Sequence, residues 1–434
     1  MFQTLVSAFK QKDLRKKLFI ILGILLVYRL GCWIPVPGLN ISVFNSNVDS
    51  SDFLSLLSSV SGGALANGSL LALGVIPYIS ASIIIQLLTI AFPSLQKLSQ
   101  AGEDGKKKLA WYTRVTALIF SVLQAVAIVI AFSQSGAINA DALGTGTPSW
   151  IVPTIVCLVL IAGGMFTLWL GEKITDLGIG NGVSLLIFVG ILCSASASLL
   201  EATQSVTTDL DKLWDIIIFA GLLVLVFGLM VFIDLSERKI PVQYAKQIKG
   251  RKMYGGQSTN IPIKVNGSGV LPIIFATALV TFPQLLLNMF WPSSDAYNWY
   301  ATYLGTGTVW YFIANAILIF FFTYFYAQIA FNPDEVSRSL QQNGGFVLGI
   351  RAGKPTAEYL SKISKRITFF GAMYLAIIFV IPTVSMSLIQ GGTAGTLLNA
   401  FSITGLLIVV SVALEFDKQL DAQMMMKSYR GFLK

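Results

Sequence analysis

Windows centred near residues 26, 81, 122, 160, 191, 224, 280, 320, 378 and 407 each hold roughly 17 to 23 residues that are apolar and nearly free of charge. Each is long enough to cross the hydrocarbon core of a bilayer, so the pattern predicts about ten transmembrane helices. The fold class expected is an all-α membrane protein. Composition agrees, since 55% of the 434 residues are hydrophobic, 12% are charged and the mean hydropathy is +0.73. Those values exclude a soluble globular chain.

The first window does not read as a signal peptide. "KQKDLRKKLF" fits a basic leader, but no small-x-small cleavage site follows, and "YRLGCWIPVPG" carries the chain on with an arginine and two prolines. With the N-terminus in the cytosol, the inside segments collect Lys10 to Lys17, Lys97, Lys106 to Lys108, Lys173, Arg238 to Lys264, Arg338 to Arg366 and Lys418 to Lys434. The outside segments carry only Lys212. This asymmetry predicts both termini in the cytosol and places the high pI on one face. That face can meet anionic lipid or an acidic or nucleic-acid partner.

Several chemistries drop out. The chain has no histidine, and Cys32, Cys157 and Cys193 are isolated, so neither a disulfide framework nor metal-ligand spacing is present. Gly105-Lys106 and Gly353-Lys354 both lack the earlier glycine of a P-loop, so any energy source is external. A charge at mid-span costs about 2.5 to 3.5 kcal/mol on the insertion scale and marks ion paths. Such charges are nearly absent here, and Arg29, Arg114 and Asp234 lie near span ends, where snorkelling or a helix-end position accounts for them. No acid-base pair or activated nucleophile assembles at the midplane, so no enzyme is expected.

Five windows precede the outside loop "EATQSVTTDLDK" and five follow it, which gives the halves, 1–205 and 206–434, opposite orientation. Each half has a long loop after its first span, at 35–69 and 236–268, the pattern of an inverted repeat with a site between the halves. "FLSLLSSVSGGALANGSLLALGVIPYISASIIIQLL" is too long for one span and too polar in the middle for two. With Leu70 to Phe92 taken as a span, residues 52–66 are left over.

"GVIPYISASIIIQLL", "ITDLGIGNGVSLLIF", "ERKIPVQYAKQIKGRKMYGGQSTNIPIKVN" and "FNPDEVSRSLQQNGGFVLGIRAGKPTAEYL" resemble the SecY family, the central subunits of the protein-conducting channel of the bacterial plasma membrane. The resemblance covers essentially the whole chain. It departs at "LGIRAG", where Leu348 and Ala352 replace two prolines, and at "FSITGLL" before the last span.

The resemblance implies an aliphatic pore ring of Val75, Ile79, Ile187, Ile191, Ile274 and Ile408. Such a ring excludes water and ions by dewetting and can spread around any passing chain. Val75 with Ile79 and Ile187 with Ile191 are i, i+4 pairs, each on one helix face. It also implies that 52–66 is a short re-entrant plug helix, with Asp52, Phe53, Leu54, Leu57, Ser61, Gly62, Gly63 and Ala64 covering the ring from outside. A lateral gate would include Gln86 and Gln124. Pro77 and Pro272 are read as kinks within spans, and "GIGNG" at 178–182 as a loop opening a helix. The cytosolic loops 236–268 and 332–366 would dock the ribosome and the SecA motor ATPase through Arg238, Lys239, Lys249, Arg251, Lys252, Arg351 and Lys354.

The implied partners are small SecE-like and SecG-like membrane subunits, SecA, ribosomal RNA, nascent secretory and membrane polypeptides, and anionic lipid. No cofactor or metal is implied. On the residues alone, a secondary transporter built on an inverted repeat and a pore-less scaffold or insertase stay open.

Overall fold

The computed structural model describes residues 2–40, 58, 61–134, 136–138, 148, 150–208, 212–244, 247–249, 252–254, 258–267, 269, 271–291, 294–305, 308–388 and 403–431. In chain order the first helices are α1 (Phe2–Lys10), α2 (Lys12–Gly31), α3 (Ile76–Ala91), α4 (Pro93–Gln100), α5 (Gly102–Gln134), α6 (Ile151–Asp176), α7 (Gly182–Thr208) and α8 (Lys212–Asp234). Strands β1 (Glu237–Tyr244), β2 (Gln247–Lys249), β3 (Lys252–Tyr254) and β4 (Ser258–Lys264) follow. Then come α9 (Leu271–Phe290), α10 (Asp295–Leu304), α11 (Val309–Ala330), α12 (Pro333–Gln342), β5 (Gly345–Val347), α13 (Lys354–Leu388) and α14 (Ile403–Gly431).

The centre of each of the ten apolar windows lies on one of these helices. Among the described residues, Gly102–Ile130, Ile151–Asp176, Val309–Gln342 and Lys354–Val380 are by themselves long and apolar enough to cross a bilayer. Ile76–Thr89 with Pro93–Ser99, bent by 107°, makes a fifth if taken as one span. The bend has a local cause. Phe92 precedes Pro93 and is pushed out of the helical region to φ −110°, ψ 116°.

The run from Leu70 to Phe92 is not one continuous helix, as the sequence led us to expect. Residues 61–75 form turns and α3 begins at Ile76. Gly68 and Gly74 adopt positive φ, and Pro77 occupies the first turn, where a missing N–H breaks no helical bond. Pro272 likewise stands second in α9. Both prolines therefore open helices rather than kink them, and the proline inside α9 is Pro283.

Contacts group the chain into two bodies: Met1–Ala220, Ala278–Tyr311 and Ile389–Lys434 form the first, Gly221–Thr277 and Phe312–Leu388 the second. In the first body, Val36, Leu65, Ala72 and Leu73 pack with Ala125, Ile128, Val129 and Phe132 of α5 and Val152, Val156 and Leu160 of α6. Ala81 of α3 meets Ala117 and Phe120 of α5 and Leu168 of α6. Small residues let backbones approach closely here. A Cβ on Gly163 of α6 would lie 1.9 Å from the Leu70 carbonyl oxygen. Large apolar side chains face outward instead, among them Phe19, Leu26 and Leu30 of α2, Ile119 of α5 and Leu158 of α6. Exposed apolar surface on this scale fits lipid as the solvent.

The second body carries a sheet of order β4-β1-β5, with Ile240 opposite Ile261 and Val242 opposite both Thr259 and Val347. Alternation along β1 buries Ile240 and Val242, which form a core with Ile263, Leu340, Val347 and Leu360. The loops 236–268 and 332–366, read separately from the sequence, are thus joined in one folded unit. α12, capped by the Asn332 side chain accepting from the Asp334 N–H, and the start of α13 complete it.

Candidate functional site

Segment 58–70 of the first body has two differently held parts. Its C-terminal part is fixed into the core: Ala64 and Leu65 are fully buried, and Ser69 donates through Oγ to the Ala64 carbonyl at 2.9 Å. The Val36 N–H donates to Gly68 at 2.9 Å and the Leu70 N–H to Ile34 at 2.9 Å, which ties it to the chain after α2. Its N-terminal part is folded mainly on itself. Ser61 Oγ donates to the Ser58 carbonyl at 3.0 Å and accepts from the Leu65 N–H at 3.3 Å, while the Gly63 N–H donates to Ser58 at 2.8 Å.

Gly62 sits at φ +73°, and a Cβ there would lie 2.8 Å from Gly190 Cα and 2.9 Å from the Gly190 oxygen. Only a residue without a side chain fits between that turn and α7. On the other side, a Cβ on Gly74 would lie 3.6 Å from Ser61 Cβ. Ser61 and Gly62 therefore lie against Gly74 and Gly190, the immediate neighbours of Val75 and Ile191. The Gly62 carbonyl accepts a 2.7 Å hydrogen bond from Nη1 of Arg29 on α2.

Val75 caps α3 and the Ile79 N–H donates to its carbonyl at 3.1 Å, which keeps the pair one turn apart. Val75, Ile187, Ile191 and Ile408 are 3 to 7% exposed, whereas Ile79 is half-buried. α14, which carries Ile408, packs on α7. Ile274 is half-buried on the part of α9 in the second body. Asp52, Phe53, Leu54 and Leu57 lie outside the described residues, while Ser61, Gly62 and Ala64 are buried and Gly63 is half-buried. Gln86 is exposed on α3 and Gln124 is buried on α5.

At the far end of α6 and α7 the "GIGNG" turn opens α7, as read from the sequence, and is held by three side chains from two helices, α2 and α14. Lys17 Nζ donates to the Leu177 carbonyl at 2.6 Å, Gln419 Oε1 accepts from the Gly180 N–H, and Gln423 Nε2 donates to the Gly178 carbonyl. A lysine ammonium at the carbonyl end of α6 also complements its dipole.

In the second body Arg238, Lys239, Arg351 and Lys354 are all exposed. Lys239 pairs with Glu237 at 3.3 Å on the surface. The Arg351 turn is well fixed: Thr356 Oγ1 donates to the Arg351 carbonyl at 2.7 Å and Ser337 Oγ to the Gly353 carbonyl at 2.7 Å. Leu348 and Ala352, which replace the two prolines, are exposed. Lys249 and Lys252 are register partners in the β2–β3 pair, and Arg251 lies outside the described residues. Among the described residues no group of Cys, Asp and Glu could hold a metal ion.

Sequence reasoning missed the partners of three charges. Arg29 is bonded to Gly62, Arg114 pairs with Glu172 at 2.6 Å, and Asp234 accepts from Asn266 Nδ2 at 2.9 Å. The signal was their position at the membrane, where an ionisable side chain needs a partner.

The SecY family model matches residues 69–416. The protein translocase subunit SecY of Streptomyces griseus is 41% identical over 447 aligned residues that cover 100% of both chains. Among solved structures, the fold is similar to one described as a protein conducting channel, with a TM-score of 0.64 at 20% identity over 94% of this chain and 92% of that one. It is also similar to Sec61 in the canine ribosome-channel complex from the endoplasmic reticulum, with a TM-score of 0.60 at 18% identity over 94% and 92% of the two chains.

Proposed function

This chain belongs to the SecY family, and from that premise we infer that it is the channel subunit of a protein translocase, a multi-pass membrane protein that passes polypeptides and performs no enzymatic step. A secondary transporter is the weaker reading. It would need charged groups to couple an ion to its substrate at the midplane, and the near-membrane charges described above are already engaged in bonds to other parts of the chain.

The contact of Ser61 and Gly62 with the neighbours of Val75 and Ile191 carries the site assignment. We read Val75, Ile79, Ile187, Ile191, Ile274 and Ile408 as the constriction and residues 52–66 as the plug that covers it. Burial of four of the six side chains supports a closed, dewetted seal. Gln86 and Gln124 are assigned to the lateral gate. The inverted halves 1–205 and 206–434 and about ten spans are part of the same reading, with both termini in the cytosol of a bacterial plasma membrane.

The folded head of the second body is the proposed docking surface. Its exposed Arg238, Lys239, Arg351 and Lys354 suit ribosomal phosphates and acidic patches of a SecA motor. SecE-like and SecG-like subunits, nascent chains and anionic lipid complete the proposed partners.

The test is removal of the plug. Because Ala64 and Leu65 belong to the core, the deletion should stop at Gly63, with 52–63 replaced by a short Gly-Ser linker. The protein should still fold and insert, yet leak ions in planar bilayers and export substrates with defective signal sequences. Unchanged conductance together with unchanged signal stringency removes the plug assignment.

A further inference from the structure

The plug assignment leaves open what keeps the segment seated, and the contacts differ sharply in kind. Gly62 meets Gly190 backbone to backbone, and Ser61 meets Gly74 through a Cβ, so neither contact buries a large apolar side chain. The hydrogen bonds of Ser58, Ser61 and Gly63 close within the segment. Among the described residues, the bond that ties 61–63 to another helix is the one from Arg29 Nη1 to the Gly62 carbonyl, at 2.7 Å. The positive φ of Gly62 is what turns its backbone into that contact while leaving room for α7.

We propose that Arg29 is the latch of the channel: its guanidinium holds the 61–63 turn against Gly190 and so sets how readily the plug leaves. Arg29 is a positioning residue, and the proposal rests on the plug reading above. Its chemistry suits a latch. The acceptor is a backbone carbonyl, so the bond persists whatever side chains the plug carries, and a charged donor makes it stronger than a neutral one. Release does not strand the charge, because a vacated funnel admits water to the guanidinium. The bond is then exchanged rather than lost, which keeps opening reversible. Arg29 also stands at the end of α2, one residue after the buried Tyr28, so its stem starts from a fixed point in the first body.

The test uses the full-length chain in the complex it forms in its native membrane, reconstituted in planar bilayers. Arg29→Met keeps the apolar stem and removes the donor. Arg29→Lys restores a charge with a single compact head. The Met variant should raise the frequency of spontaneous openings about tenfold, equivalent to ~1.4 kcal/mol. The Lys variant should recover part of the seal. In the 52–63 deletion, Arg29→Met should add nothing, because the latch has no bolt to hold. Hydrogen exchange at Gly63 and Leu65 should quicken in the Met variant and leave α6 unchanged.

If Arg29→Met stays tight while the deletion leaks, the latch is overturned and the plug stands. If the two changes add, Arg29 acts elsewhere and the latch is again overturned. If the deletion itself changes neither conductance nor stringency, the plug reading fails and the latch fails with it. Faster exchange without added openings reduces the contact to a structural one and overturns its role in gating.

Discussion

Gly163 and Gly62 face the same added methyl with different consequences. At Gly163 a Cβ would lie 1.9 Å from the Leu70 carbonyl, which is itself held in the core because the Leu70 N–H is bonded to Ile34. Neither backbone can yield without repacking, and overpacking of this kind costs about 1 to 3 kcal/mol. Gly163→Ala should therefore lower the melting temperature in detergent and reduce accumulation in the membrane. At Gly62 the clash is with Gly190, and the positive φ adds about 1 to 2 kcal/mol for any side chain. That turn can relieve the strain by moving away from α7, so Gly62→Ala should accumulate normally, lose little thermal stability, and leak. A normal seal in Gly62→Ala would show that the turn need not sit against α7. What the sequence could tell at this scale was uneven. Arg29 reads as a snorkelling charge near the end of a span, because its partner is a main-chain oxygen, which no residue pattern marks. Pro77 and Pro272 were visible as prolines in apolar runs, yet whether each kinks or opens a helix depends on where the neighbouring glycines break the chain.

Elements close in sequence were the easier ones to read. The centre of each apolar window lies on a helix, and the bend after α3 follows from Phe92 preceding Pro93. The head was harder. β1 shows its period in the burial of Ile240 and Val242, but its pairing with β5 joins loops separated by α9, α10 and α11, and nothing local specifies the Val242–Val347 register. The union matters for any docking partner, because Arg238 on β1 and Arg351 after β5 are presented by one folded unit. Arg351→Glu reverses an exposed charge on a turn held by Thr356 and Ser337, so abundance should stay normal while motor-driven export falls severalfold. Val347→Asp instead places an unpaired carboxylate among Ile240, Val242 and Leu360, and should cost several kcal/mol and loosen the head. Limited proteolysis separates the two variants. An Arg351→Glu protein with native cleavage and undiminished export would remove the docking role of that turn.

At the scale of the whole molecule, hydropathy made the membrane and the helical class readable, because lipid forces long apolar runs with internally bonded backbones. A seal is another matter, since an isoleucine that lines a constriction and one that faces lipid are the same letter. Only three-dimensional placement distinguishes them: Ile191 is 7% exposed on α7, and Leu192 beside it is 43% exposed. Replacing Ile79, Ile191 and Ile408 together with serine should wet the constriction, because each change removes apolar burial worth about 1.5 to 3 kcal/mol and adds a hydroxyl that favours water. The seal should fail before the fold does, as Ile79 is only half-buried and a serine on a helix can bond to its own i−4 carbonyl. The control is the same substitution at Ile119, Leu158 and Leu192, which are 52%, 60% and 43% exposed on α5, α6 and α7 of the same body. These side chains are exposed on the outside of the first body and do not pack in its core, so the control should stay tight. Single-channel recording of the two triple variants, matched for thermal stability, measures the difference. Frequent openings in the ring variant alone would place the barrier at those three side chains. A tight ring variant, or equal leakage from both, would move the barrier elsewhere in the molecule and reopen the case for a carrier with an occluded site.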